Sequence, residues 1–156
     1  MSGLRQRIWL GGWAALPLRL IIGFGFAAHG YAKLARGPAS FAGILAALGV
    51  PAPVPMAWVT SLVEFVGGIA VMLGAYVLPL SLPLIAIMAT AMFGVHFRYG
   101  FSSIRLQGLS ESGAQFGPIG YELNLVYIAG LVTLALSQAS RFSVDRWRDA
   151  RRKGSP

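Results

Sequence analysis

One long, almost uncharged stretch constrains this chain more than any other feature of its sequence. Across residues 38–96, Glu64 is the only residue that carries a full charge. The whole chain of 156 residues is 12% charged, against about 25% in a typical soluble domain. A segment this long and this apolar indicates that lipid, and not water, is its solvent. We therefore do not expect an ordinary cytosolic enzyme.

Proline, glycine and charged residues divide the chain into apolar segments of about 20 residues, the length that a bilayer requires. These segments cover approximately residues 12–34, 55–76, 79–98 and 119–138. The sequence therefore predicts an all-α fold, an integral membrane four-helix transmembrane bundle that forms one domain over residues 1–156. Residues 37–49 are apolar but too few to span, and we expect them to lie at the outer interface or to re-enter the membrane.

The positive residues predict the orientation of the bundle. Because four spans place both termini on one side, the basic ends indicate cytoplasmic termini in a bacterial inner membrane. The basic residues at these ends are Arg5, Arg7, Arg141, Arg146, Arg148, Arg151, Arg152 and Lys153. A cleaved signal peptide is the competing interpretation of the N-terminus. We favour a retained helix, because Arg19 interrupts the apolar run and Ala27-Ala28 lie late for a cleavage site.

The tail at residues 143–153 mixes aromatic and basic residues, which leaves two interpretations open. It is either a short interfacial helix on anionic membrane lipid or a solvated tail that only fixes topology. The net charge of +8 does not indicate a nucleic-acid partner, because the basic residues do not lie on a folded soluble face.

The absence of cysteine excludes several chemistries at once. Disulfides, thiol redox chemistry, cysteine nucleophiles and zinc–thiolate sites all require that residue. No nucleotide-binding loop, Ser–His–Asp set or haem motif is visible, and no local ligand spacing predicts a metal site. Axial ligation of a haem by His29 and His96 stays open as an alternative.

Six polar side chains inside the predicted spans carry the functional information. An ionisable group costs roughly 2.5 to 3.5 kcal/mol to place in hydrocarbon, so we expect all six to face a shared interior. At a rise of about 1.5 Å per residue, they form a polar ladder that descends from the outer side. Its members are Lys33, His96, Glu122, His29, Glu64 and Arg19.

Glu64 is the acid placed deepest in this ladder. A lone carboxylate is not stable in hydrocarbon, so Glu64 must pair with a positive group or be neutralised by a proton. The depth estimate puts both Arg19 and His29 within reach, and the sequence predicts an Arg19–Glu64 or a His29–Glu64 pair. Such a pair either serves a functional site or only fixes the register of the helices.

Two further patterns concern small and aromatic residues. The motifs Gly23-xxx-Ala27 and Ala70-xxx-Gly74 predict close packing between helices. Phe93 and Tyr121 belong to an aromatic cluster at the outer ends of spans three and four. This cluster either lines a pocket for a flat ligand or is an ordinary interfacial belt.

The same residues carry a family resemblance. Span one ends in His29-Gly30-Tyr31-Ala32-Lys33-Leu34, span two contains Glu64-Phe65-Val66-Gly67-Gly68, and span four opens with Gly120-Tyr121-Glu122. Together with Arg141-Phe142-Ser143-Val144-Asp145, this order resembles the DoxX family of small four-helix membrane proteins, over about residues 17–146. The resemblance implies a membrane bundle and a link to membrane-associated oxidoreductase complexes. The family takes its name from a subunit that resembles a component of a thiosulfate:quinone oxidoreductase, and other members are similar to partners of such complexes.

Our functional hypothesis is a small membrane subunit of a quinone-linked redox system, with a ligand pocket open to the outer side. We assign catalytic roles to His29, Glu64, His96 and Glu122, and ligand contacts to Arg19, Lys33, Phe93 and Tyr121. The expected ligand is a quinone-like or small apolar molecule, with a quinone as the possible substrate, and no cofactor is expected in the chain. Electrons must then come from a soluble or membrane-bound partner protein.

Two other functional classes stay open. The chain is either a non-catalytic assembly module that anchors partner proteins, with the polar ladder as its packing core, or a carrier of small solutes or protons. A carrier would need a homo-oligomer, because four spans leave little room for alternating access.

Overall fold

A computed structural model describes the backbone of residues 2–137 and 142–153, and the side chains of residues 13–137 and 142–151. This part of the chain forms six α-helices and one β-hairpin. The helices are α1 (Ser2–Ala35), α2 (Pro38–Ala47), α3 (Pro53–Leu73), α4 (Val77–Ala91), α5 (Glu122–Leu136) and α6 (Val144–Lys153). A π-helical turn at Met92–His96 and a 3-10 turn at Phe97–Tyr99 extend α4. The hairpin consists of β1 (Leu106–Ser110) and β2 (Gly113–Phe116).

The helical membrane fold that the sequence predicts is confirmed. Among the described residues, three helical segments are long and apolar enough to cross a bilayer: Trp13–Ala35, Pro53–Leu73 and Val77–Tyr99. The fourth predicted span is shorter than expected, because α5 has only 15 residues. It covers about 22 Å, against roughly 30 Å of hydrocarbon. The count of four spans stays a prediction, although α5 packs along α4 and also contacts α1.

Two connecting segments have a structure of their own. Residues 37–49 contain α2, whose ten residues are too few to span a bilayer, as the sequence predicts. Residues 102–118, between the third and fourth predicted spans, contain the β-hairpin, in which Ser110 pairs with Gly113 across the turn. The turn requires glycine at position 113, where φ is 114°, a conformation that residues with a side chain rarely adopt.

Helix α1 packs on α3 through glycines that let the two backbones meet. A Cβ atom at Gly68 would collide with the backbone of Ala27, and one at Gly23 would collide with the carbonyl of Gly68. Membrane helices gain contacts in this way without a hydrophobic driving force, so the Gly23-xxx-Ala27 prediction is confirmed. These contacts, and that of Gly30 with the backbone of Phe65, fix the register of the two helices.

The second small-residue motif does not pack helices, and that prediction is wrong. Gly74 ends α3 as its C-cap, with φ of 67°. A Cβ atom there would collide with the guanidinium group of Arg19 and with Ser143. The glycine at position 74 is therefore explained by a left-handed helix cap and by the Arg19 side chain that lies on it.

The apolar core lies where α1, α3, α4 and α5 meet. Its buried members are Ile22, Phe26, Val71, Leu84, Leu131 and Leu134. Because each helix contributes a different side chain to this one cluster, the four helices form a single bundle.

Helix α6 docks against the turn between α3 and α4. The carboxylate of Asp145 accepts hydrogen bonds from the backbone N–H groups of Tyr76 (2.9 Å) and Val77 (3.1 Å), where α4 begins. The N–H of Asp145 donates to the carbonyl of Gly74 (3.0 Å). Since the first N–H groups of a helix have no partner within it, Asp145 caps α4 from a distant part of the chain. We call this end of the bundle, which contains Trp13, the α3–α4 turn and α6, the terminal end.

Candidate functional site

A cavity of about 630 Å³ lies between α1, α2 and α3 on one side and α4 and α5 on the other. It is remote from the terminal end. Most of its lining side chains are apolar. The polar ones are His29, Lys33, Thr60, Glu64, Thr90, His96, Asn124 and Tyr127. Four of the eight predicted site residues therefore line one space: His29, Lys33, Glu64 and His96.

Lys33 and Glu64 form an ion pair in the wall of this cavity. The Nζ atom of Lys33 lies 2.7 Å from each carboxylate oxygen of Glu64 and donates a hydrogen bond to Oε1. The Glu64 side chain is 5% exposed and that of Lys33 is 23% exposed. Oε2 is buried and touches the ammonium group, but it accepts no hydrogen bond within the part of the chain that the structure describes. The pair neutralises the buried carboxylate and leaves one oxygen able to accept a further hydrogen bond.

Arg19 and His29 were the two predicted partners of Glu64, and both predictions are wrong. The depth estimate assumed that the ends of the helices lie at the same level in the membrane. The glycine contacts between α1 and α3 set a different register, in which Lys33 lies about one helical turn from the level of Glu64. Arg19 lies level with Gly74, about 15 Å from Glu64 along α3. His29 is close to Glu64 in level, but its side chain is exposed to the cavity and does not bond the carboxylate.

His96 lies in the π-helical turn that extends α4, a feature that occurs frequently at functional sites. Its Nδ1 atom is 3.1 Å from the carbonyl oxygen of Ile119. Because a carbonyl oxygen only accepts, we assign the proton to Nδ1, so that Nε2 of the neutral ring is an acceptor. The backbone before α5 thus selects the tautomer of an imidazole that lines the cavity.

His29 lines the cavity from α1, one turn before Lys33 on the same helix. No hydrogen bond joins its ring to another residue in the ranges 13–137 and 142–151. A neutral imidazole has one donor and one acceptor nitrogen. His29 is therefore able to donate to a ligand or to accept from it.

Helix α2 covers the cavity with the apolar side chains of Phe41, Ile44 and Leu45, and Leu48 directly after the helix adds a fourth. The Nζ atom of Lys33 lies 4.2 Å from the centroid of the Phe41 ring, within the range of a cation–π contact. At the other end of α2, the Leu48 side chain lies against Gly94 of the π-helical turn. Lys33 therefore links three helices, since it also bonds Glu64 of α3.

Two polar residues of α5 line the cavity and were missed in the sequence. The side-chain N–H of Asn124 donates to the carbonyl of Met88 (3.3 Å), which ties α5 to α4. The ring of Tyr127 meets that of Phe26 edge-on, with centroids 5.3 Å apart. Asn124 carries no charge and so did not enter the polar ladder. As a buried amide inside a predicted span, it was nevertheless a usable signal.

Glu122 does not line the cavity, although the sequence grouped it with the histidines. Its Oε2 accepts a hydrogen bond from the backbone N–H of Ser103 (2.9 Å). Next to this contact, the N–H groups of Gly120, Tyr121 and Glu122 donate to backbone carbonyls of residues 100–102. In this structure Glu122 fastens the segment after α4 to the start of α5.

Phe93 and Tyr121 lie in an exposed aromatic cluster outside the cavity. The rings of Phe97 and Tyr121 stack with centroids 5.3 Å apart, and Phe93 and Phe101 flank them at 5.9 and 5.6 Å. Phe93 is 66% exposed. This placement is the one expected of an interfacial aromatic belt.

Arg19 lies at the terminal end, in the wall of a separate cavity of about 100 Å³. It is 4% exposed, and its guanidinium group donates a hydrogen bond to the carbonyl of Phe142. Asp145 lines the same small cavity. Arg19 therefore holds the segment that leads into α6 and contributes nothing to the large cavity.

The large cavity is an apolar space with a few polar groups in its walls. The described residues contain no group of three His, Asp or Glu side chains close enough to hold a metal ion. The polar groups of the cavity are a few hydrogen-bond donors and acceptors around an apolar space. This is the usual composition of a small-molecule site.

Comparison with known proteins gives a result at the level of the family. The family model described as DoxX matches residues 14–97, more than half of the chain. The matched part contains His29, Lys33, Glu64 and His96. No curated protein and no solved structure matches the chain.

Proposed function

The chain belongs to the DoxX family of helical membrane proteins, and from this premise we propose that it is a small membrane subunit of a quinone-linked oxidoreductase system. The large cavity is the proposed binding site for a quinone or a similar lipophilic ring. Electrons reach this ring from a soluble or membrane-bound partner protein. Glu122 and Arg19 receive no role in the chemistry, because both lie outside the cavity.

The size and lining of the cavity support this ligand class. Sites for small organic molecules typically have volumes of about 300–1,000 Å³, apolar walls and a few polar groups. A quinone fits this description, because its ring and tail are apolar and its only polar atoms are oxygens on opposite edges. A cavity of about 630 Å³ has room for the ring and part of the tail.

The polar groups match both redox states of the ring. A quinone has two carbonyl oxygens that accept hydrogen bonds, and Lys33 and His29 are able to donate them. A quinol has two hydroxyl groups that donate, and Oε2 of Glu64 and Nε2 of His96 are acceptors. A site that pairs with both forms binds substrate and product alike.

Reduction of a quinone to a quinol adds two electrons and two protons. The partner supplies the electrons, and one proton goes to each ring oxygen. His29 is able to give one proton from its ring N–H, and Nε2 of His96 is able to take up a proton and pass it on, while Glu64 relays protons towards them. The ammonium group of Lys33 stabilises the negative charge of the half-reduced ring.

The observation that carries the proposal is that an ion pair and two histidines line the same apolar cavity. The test is calorimetric titration of a short-tailed benzoquinone into the purified protein in detergent. Glu64→Gln and His96→Ala should each weaken binding about tenfold, the effect of losing one charge-assisted or buried hydrogen bond. Glu122→Gln is the matched control and should bind normally. Unchanged affinity in Glu64→Gln, His96→Ala and His29→Ala would remove the proposal.

A non-catalytic assembly module is the second candidate, and one observation favours it. Lys33 links α1, α2 and α3 through Glu64 and Phe41, so the polar residues also serve as packing contacts. The charge-swapped variant Lys33→Glu/Glu64→Lys distinguishes the two functions. If the pair only holds the helices, the variant folds and partner proteins still co-purify with it. If the pair contacts the ligand, the variant folds but loses quinone binding.

We also propose that the chain lies in a bacterial inner membrane with cytoplasmic termini, because basic residues concentrate at the terminal end. The natural absence of cysteine makes this simple to test. A membrane-impermeant maleimide added to intact spheroplasts should label Ser112→Cys in the hairpin. It should label Ala150→Cys in α6 only after permeabilisation, and the reverse pattern would invert the proposed topology.

A further inference from the structure

Helix α6 has a basic and aromatic surface that the quinone proposal does not use. We propose that α6 is a binding element for anionic phospholipid headgroups, held at the depth of those headgroups by its contacts with the bundle. This inference concerns the terminal end alone and stands independently of the function of the large cavity.

The position of α6 relative to the spans is the first argument. One candidate span ends at Leu73 and the next begins at Val77, and α6 contacts the turn between them. Asp145 caps the N–H of Val77, and its own N–H donates to the carbonyl of Gly74. Helix α6 therefore lies where these two spans leave the hydrocarbon, which is the level of the lipid headgroups.

The composition of α6 is the second argument. The helix has five basic residues and two acidic ones. The carboxylate of Asp145 is occupied by the start of α4. The exposed surface of α6 therefore has a net positive charge. Basic residues at a membrane surface attract anionic lipid, and this attraction decays within about one Debye length. A helix held at the level of the headgroups lies within this distance, so the attraction acts on its basic residues at full strength.

The arrangement of the exposed side chains is the third argument. Trp147 is 55% exposed, and the guanidinium group of Arg151 lies 3.6 Å from the centroid of its ring. Arg146 is exposed as well, whereas Arg148 contacts the Tyr76 ring and Asp145. An exposed indole beside exposed guanidinium groups is typical of helices that lie in the membrane interface.

The alternative is that the basic residues only set topology and have no lipid preference. A measurement with brominated lipids separates the two. The full chain is placed in nanodiscs that contain increasing fractions of brominated phosphatidylglycerol or of brominated phosphatidylcholine. The fluorescence of Trp147 is obtained as the difference between the natural chain and Trp147→Phe, since the chain has four tryptophans.

We expect the anionic lipid to quench Trp147 more strongly than the zwitterionic lipid. Arg146→Gln and Arg151→Gln should each lower this preference about fivefold, as measured by the fraction of anionic lipid needed for half-quenching. Arg98→Gln and Arg105→Gln remove the same charge far from α6 and are the matched controls, which should leave the preference unchanged. Inorganic phosphate at millimolar concentration should not compete, since the proposed ligand is a lipid headgroup within a bilayer.

Asp145→Ala is the decisive variant. It adds one unit of net positive charge but removes the cap that fixes α6, so our proposal predicts a loss of lipid preference. A preference that rises in Asp145→Ala, or one that is equal for both lipids in the natural chain, overturns the proposal. Size-exclusion chromatography verifies that each variant is folded. If Asp145→Ala does not fold, the two arginine variants and their controls decide the question.

Discussion

The ammonium group of Lys33 lies 2.7 Å from both carboxylate oxygens of Glu64, and the pair joins α1 to α3 in the wall of an apolar cavity. Lys33 comes two residues before the end of α1, while Glu64 lies midway along α3. They meet because glycines bring the two helix backbones into contact and fix their register. A packing feature of the sequence thus determines which cation neutralises the buried acid.

Removing either partner of this pair should destabilise the fold, and removing the lysine should cost more. Lys33→Met leaves the more buried group, the Glu64 carboxylate, without its cation, which typically costs about 3–5 kcal/mol. Glu64→Gln leaves a more exposed ammonium group that is able to reach water. Thermal unfolding in detergent should rank the midpoints as natural chain, Glu64→Gln, Lys33→Met. The double variant should recover part of the loss, and strictly additive effects would contradict a direct pair.

The contact between α1 and α3 should tolerate no side chain at Gly68. Gly68→Ala drives a methyl group into the backbone of Ala27, so the helices must separate, at a cost of about 1–3 kcal/mol. Gly43→Ala in α2 is the matched control, because a Cβ atom there meets nothing within 4 Å. The control should be neutral or stabilising by about 0.5–1 kcal/mol, since alanine favours helix. Equal midpoints of thermal unfolding for the two variants would refute the packing account.

The cap on α4 should make Asp145 important for stability although it lies in the C-terminal helix. Asp145→Ala leaves the N–H groups of Tyr76 and Val77 without their acceptor, and loss of a helix N-cap costs about 0.5–2 kcal/mol. Asp149 is exposed on the same helix, and Asp149→Ala should shift stability by no more than about 0.5 kcal/mol. Limited proteolysis offers a second readout, because an undocked α6 should be cleaved faster only in Asp145→Ala.

Filling the large cavity should abolish ligand binding without unfolding the protein. Ala86 lines the cavity and is exposed to it, so Ala86→Trp occupies space that a ligand would need. Ala129 is exposed on α5 away from the cavity, and Ala129→Trp serves as the control. Calorimetric titration with a benzoquinone should show binding for the control and none for Ala86→Trp. Normal binding by both variants would place the ligand elsewhere.

Hydropathy alone was sufficient to predict most of the fold. Charge-free segments and breakers located α3, the extended α4 and the end of α1 to within a few residues, because hydrocarbon admits only long apolar helices. Helix α1 begins at Ser2, ten residues before the start of the predicted span. The other exception is the fourth span. Residues 119–121 are apolar or small and were therefore included in the predicted span. Instead of forming the first turn of α5, the backbone of residues 120 and 121 donates hydrogen bonds to residues that precede the hairpin. Long-range hydrogen bonds of this kind leave no trace in a hydropathy profile.

The candidate site was predicted in part. Lys33, Glu64, His29 and His96 were all identified, because polar groups in a span are expensive and must share an interior. The partner of Glu64 was not identified, because the packing of two helices sets their relative height. The ends of the helices therefore do not report the depth of a residue. The role of Asp145 was equally hidden. It depends on a contact between residues about 70 positions apart, and no local pattern in the sequence reports it.

Photoaffinity labelling tests the central claim most directly. An azido-benzoquinone is photolysed with the protein in native-lipid nanodiscs, and the labelled peptides are identified by mass spectrometry. Our account predicts labels on residues that line the large cavity, such as Lys33, Thr60, His96 and Leu123, and their suppression by excess unlabelled quinone or by Ala86→Trp. Labels confined to the exposed cluster around Phe97 and Tyr121, or labelling that excess quinone does not suppress, would contradict it.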